Sequence, residues 1–88
     1  MNAAVPVINR MFRLQWEEAQ EAWVLLYPEG MVQLNASAAE ILTRVDGQKT
    51  IEEIQRELLT KYPEAEGLEQ DVNDFFAHAQ TLNWIRYV

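Results

Sequence analysis

Hydrophobic positions in this chain change their period once, near Asn35. Before it they alternate. Phe12, Leu14 and Trp16 fall on one side, with Arg13 and Gln15 on the other, the period-two pattern of a half-buried strand. The polar run Glu17-Glu18-Ala19-Gln20-Glu21 reads as a connection. Trp23-Val24-Leu25-Leu26-Tyr27 is aromatic and branched and is bounded by Pro28-Glu29-Gly30, which predicts a second strand ending in a turn. Met31-Val32-Gln33-Leu34 predicts a short third strand. With connections this short the three form an antiparallel meander, whose last strand lies at an edge.

Beyond Asn35 the spacing becomes helical. Ala38, Ile41, Leu42 and Val45 follow the i, i+3, i+4, i+7 positions of one helix face. Asn35 or Ser37 can cap the start, and Ser37 with Glu40 has the form of a capping box. Asp46-Gly47 ends this helix, because glycine accepts the left-handed conformation there. A second helix is predicted from Thr50, with Glu53 completing another box, a buried stripe of Ile51, Ile54, Leu58 and Leu59, and Tyr62-Pro63 as its stop. A third is predicted over 68–82 on Leu68, Val72, Phe75, Phe76, Ala79 and Leu82, with Asn83 as a left-handed cap. The apolar residues 84–88 should pack back on the core. Residues 1–10 show neither period and are expected to form a flexible N-terminal tail. The fold class expected is therefore α+β: a three-stranded antiparallel sheet followed by three helices, winged-helix-turn-helix-like.

Composition narrows the function. At 88 residues, 49% hydrophobic, the chain is one small domain with a modest core. It has no cysteine, so it cannot build a disulfide framework or a thiolate metal site. The first residues lack a basic region followed by a long apolar run, and no stretch approaches the ~18 apolar residues of a membrane span. A cytoplasmic protein without membrane contact is the expectation. The net charge of −7 repels phosphate backbones, so nucleic acid is not an expected partner. Acids crowd the later half (Glu52, Glu53, Glu57, Glu64, Glu66, Glu69, Asp71, Asp74); this is either a solvated face or one that meets a cationic partner.

Catalytic chemistry finds no foothold. The single histidine, His78, has Asp74 one turn before it but no cysteine or recognisable serine elbow to activate. A zinc site needs three or four ligands, and the three glycines stand at element boundaries rather than in a phosphate-binding loop. No cofactor, metal or catalytic residue is expected. Binding remains. The edge strand 31–34 exposes unpaired backbone groups, and a third helix beside it would make a groove in which a peptide can add as a further strand. Proline at Val32 is expected to remove one such bond.

These residues resemble the PqqD family. Leu25-Leu26-Tyr27-Pro28-Glu29-Gly30-Met31-Val32-Gln33-Leu34-Asn35 is similar to its strand-turn-strand. Ala38-Ala39-Glu40-Ile41-Leu42, Asp46-Gly47, Thr50-Ile51-Glu52-Glu53-Ile54, Asp71-Val72, Phe75-Phe76 and Leu82 then follow at the family's spacing. Asn83 departs from the pattern, standing where relatives often carry glycine. The resemblance implies that 11–88 is a single peptide-recognition domain. It also implies a peptide chaperone for the ribosomally made precursor of pyrroloquinoline quinone (PQQ), presenting that peptide to a radical S-adenosylmethionine enzyme. Carried onto this chain, Met31, Val32, Gln33 and Leu34 would offer the edge. Asp71, Val72, Phe75, Phe76 and Ala79 would line the helical wall, and Asp71 and Asp74 would suit a leader bearing Lys or Arg. Four alternatives stay open: recognition of another modified peptide, a DNA-binding winged helix, an enzyme subunit contributing directly to the cofactor chemistry, and a homodimer joined through the exposed edges.

Overall fold

The computed structural model describes residues 3–88, in the element order β1 (Pro6–Ile8), β2 (Arg13–Glu17), β3 (Ala22–Tyr27), β4 (Gly30–Gln33), α1 (Ala36–Leu42), α2 (Ile51–Lys61), α3 (Leu68–Thr81) and β5 (Ile85–Tyr87). Strands β2, β3 and β4 form the expected antiparallel meander, with Leu14 opposite Leu25 and Leu25 opposite Val32. That row faces the helices. Leu25, Leu34, Ile41, Leu42, Ile54, Leu58, Val72, Phe76 and Ile85 make the core, and burying such side chains is the main driving force for a domain this small.

Local chemistry sets the helix ends. The Asn35 side chain, not Ser37, caps α1 by accepting the Ala38 N–H at 2.8 Å, which leaves Glu40 free for other contacts. Helix α1 stops at Leu42 rather than running to Val45, because Arg44 and Val45 donate back three residues, to Ile41 and Leu42, and tighten the last turn. Thr50 and Glu53 close a complete capping box on α2. Asn83 takes the left-handed conformation (φ 65°) expected of it.

The N-terminal expectation is corrected in part. Met1 and Asn2 lie outside the described residues, but 6–8 form a strand rather than a flexible tail. Strand β1 pairs antiparallel with β5, Pro6 opposite Tyr87 and Ile8 opposite Ile85, so the apolar C-terminus packs back by gaining a partner strand. Pro6 is fully buried. The Ile51 N–H donates to Ala4 O, and Asn9 N–H to Trp84 O. Val7 also runs against the α1–α2 turn. A Cβ on Gly47, whose φ is +79°, would come within 3.3 Å of the Val7 side chain, so this glycine serves both the turn and the close approach. No helix among the described residues is long and apolar enough to cross a membrane.

Candidate functional site

The hydrogen-bond phase of β4 decides which backbone groups are free. Leu34 donates to Trp23 O at 2.9 Å. In an antiparallel pair, residues exchange bonds at alternate positions, so Val32 with Leu25 and Gly30 with Tyr27 also bond inward to β3, following the register. Met31 and Gln33 therefore turn their N–H and C=O outward, along the sheet edge that β4 forms.

Beside the end of that edge lies a groove of about 540 Å³. One wall is Gln33, Leu34 and Asn35 leading into Ser37, Ala38 and Ile41 of α1; the other is Asp71, Asp74, Phe75 and His78 of α3, with Trp84 behind. The α3 residues follow the i, i+3, i+4, i+7 spacing of a single face. Phe75 packs edge-on against Phe76 (ring centroids 5.7 Å) and lies 6.4 Å from Trp84, which also meets the His78 ring at 6.4 Å. The groove is thus aromatic toward Trp84 and acidic toward Asp71.

The residues inferred from sequence divide between groove and core. Gln33, Leu34, Asp71 and Phe75 line the groove, although Leu34 is only 6% exposed and acts chiefly as floor. Val32 is half-buried and packs on the core. Met31, 42% exposed, sits near the turn, away from the cavity. Val72, Phe76 and Ala79 are 1%, 1% and 0% exposed and pack in the core; none of them lines this groove, and Val72 lines instead the neighbouring cavity among α1, α2 and α3. Their stripe and the groove stripe are adjacent on one helix and share its period, and burial alone separates them. Asn35, Ser37, Ile41, His78 and Trp84 were not singled out as groove residues. For His78 the signal was present, because it lies four positions after Asp74 and three after Phe75.

Ion pairs cluster on α1 and α2. On α2 and its flanks, Arg56 meets Glu52 at 3.3 Å, Lys49 meets Glu57 at 2.9 Å and Lys61 meets Glu40 at 2.8 Å. Glu40 also binds Arg44 at 2.8 Å and accepts the Tyr62 hydroxyl. The Lys61 and Tyr62 bonds, followed by Arg44, hold its carboxyl down at about 2. No group of three or more metal-ligating side chains occurs among the described residues.

Comparison with known proteins identifies the family. Residues 22–85 match the family model for coenzyme PQQ synthesis protein D (PqqD). The PqqA binding protein of Stutzerimonas stutzeri is 52% identical over 81 residues, spanning 92% of this chain and 88% of that protein. That of Acinetobacter baylyi is 48% identical over 80 residues, 91% and 81% of the two chains. Among solved structures, the solution NMR structure of the PqqD truncation of Methylobacterium extorquens PqqCD superposes with a TM-score of 0.74. Its identity is 29%, with 93% of this chain and 88% of that one covered, and it is described as a functional, stand-alone recognition element for ribosomally synthesized and post-translationally modified peptides. With residues 22–85 matching the family model and relatives about half identical over nine-tenths of its length, the chain belongs to the PqqD family.

Proposed function

We propose that this chain is a cytoplasmic peptide chaperone that binds the precursor peptide of PQQ and presents it to a radical S-adenosylmethionine enzyme. The peptide adds as a strand to β4, in the groove against α3. One observation carries the reading: the outward N–H and C=O of Gln33 open directly into a groove with an aromatic helical wall. Backbone bonds there supply affinity, roughly 0.5–1.5 kcal/mol each, while the pockets on either side select side chains. The names of the relatives, as PqqA binding proteins and as a peptide recognition element, support the same occupant. The chain performs no chemistry itself, in keeping with a lone His78 that has no nucleophile to serve. Nucleic acid is a poor fit, since the α2 cations Arg56 and Lys61 are already held by glutamates.

Titration calorimetry with the synthetic precursor peptide, with amide shifts followed by NMR, tests this. Micromolar or tighter binding, at least about 8 kcal/mol, is expected, with shifts at Gln33, Asn35, Asp71, Phe75, His78 and Trp84. Shifts confined to 52–61 would remove the groove, and absence of binding would remove the function. Precursor peptides of other modification pathways, titrated in parallel, decide how narrow the specificity is. A second copy of the chain pairing along β4 would compete for the same edge, and would appear as a dimer in sedimentation that the peptide dissociates.

A further inference from the structure

We propose that the groove continues past the start of α1 into a second, apolar pocket. This pocket takes an apolar side chain of the same peptide, next to a lysine or arginine held by Asp71. The inference rests on the peptide-binding reading above and adds to it the chemistry and register of what is bound.

Continuity is the first argument. A cavity of about 360 Å³ lies among α1, α2 and α3, walled by Ile41, Leu58 and Leu68 with Tyr62 at its rim. Its size is within the range of side-chain and small-ligand pockets. Ser37, Ile41 and Asp71 line both this cavity and the β4 groove. A peptide following α3 toward its N-terminus therefore passes His78 and Phe75, then Asp71, then Leu68. Phe75 and Leu68 are two turns apart, about 10.5 Å along the axis, which an extended chain covers in about three residues.

Charge is the second argument. Two carboxylates stand on the pocket's rim. Glu40 is already bound by Lys61, Arg44 and Tyr62. Asp71 has no ion pair among the described residues, and α3 carries no lysine or arginine. Glu69 and Asp71 both stand in the first turn of α3, where the helix dipole favours an acid, but of the two only Asp71 lines the β4 groove and the second pocket. Asp74, beyond the first turn, flanks the same groove and accepts only the Gln70 amide, at 2.8 Å. The free negative charge thus sits between two apolar surfaces, Phe75 with Trp84 on one side and Ile41, Leu58 and Leu68 on the other. A peptide segment reading apolar, basic, apolar, with its apolar residues about three apart, matches that order.

The test uses the full chain, the synthetic precursor peptide and analogues of it in which each Lys or Arg is singly replaced by Gln. Ala36 is exposed and borders the second pocket and the hollow beside Trp23, but not the β4 groove, so Ala36→Trp is the variant of choice once NOE contacts from the new indole to Tyr62 and Leu68 place it in the second pocket. Binding should weaken by about tenfold, while the Gln33 and Phe75 amides still shift. Asp71→Asn should weaken binding by about fivefold to tenfold and abolish the effect of replacing one particular peptide cation, a coupling read from the double-mutant cycle. Unchanged affinity of Ala36→Trp, or losses that simply multiply for Asp71→Asn with every analogue, would overturn the inference. The wild-type spectrum separates the two levels. Bound peptide with unmoved Ala36, Tyr62 and Leu68 amides sinks this pocket alone, whereas no binding sinks the peptide reading beneath it.

Discussion

At Gln33 the main chain carries its hydrogen-bonding groups away from β3, whereas at Val32 it carries them toward it. Proline therefore has opposite consequences at neighbouring positions. Gln33→Pro removes an outward N–H and nothing from the sheet, so the melting temperature should hold while peptide affinity in calorimetry falls about tenfold. Val32→Pro, expected from sequence to act on the free edge, instead breaks the β3–β4 ladder and should lower stability by about 3 kcal/mol in denaturant unfolding. Alternation of apolar residues shows which way side chains point. It does not show which way the N–H points, which follows from the Tyr27–Gly30 closure of the hairpin. The same limit applies on α3. Val72 and Phe76 share a period with Asp71 and Phe75, and only the rotation of the helix against the core makes one stripe buried and the other a wall.

Among the elements, the ends of α2 were the most legible, because its caps are local chemistry. Thr50 with Glu53 marks the start of α2, and both bonds of the box form, at 3.1 and 2.8 Å. Thr50→Ala should cost about 1 kcal/mol, seen as a drop of several degrees in the thermal midpoint, with peptide affinity unchanged because Thr50 lines neither the groove nor the second pocket. Strand β1 was illegible for the opposite reason. Three residues are too few for a period to show, and the partner strand β5 lies at the far end of the chain. A contact between distant segments leaves no pattern in either one alone. The groove was half legible: its strand edge and acidic helix face could be read in sequence, but the contribution of Trp84 depends on β5 being pinned by β1.

On the scale of the whole molecule, Glu40 ties α1 to the end of α2 through Lys61 and Tyr62, and to Arg44 on its own side. Its carboxyl is lowered from 4.5 to about 2 in the folded protein. A depressed acid stabilises the fold above its unfolded value and loses that contribution as pH falls through the folded one. Unfolding followed from pH 5 down to about 2 should therefore show a Glu40-dependent loss. Its size should be of order 1 kcal/mol once solvent screening of the half-exposed Lys61 is allowed for, and Glu40→Gln should flatten that part of the profile. The β1–β5 pair has a mechanical consequence. Pro6 lies opposite Tyr87 at the outer end of the pair, so the two ends of the described chain leave side by side. Tension between bodies attached to them would peel the pair one rung at a time rather than shear all rungs together, starting where Val88 donates to Val5. The last rung to open is the Asn9 bond to Trp84, so a pull on the two termini must first break the Ala4–Ile51 bond and draw out the buried Pro6 and Ile85, and only then reaches the aromatic wall of the groove.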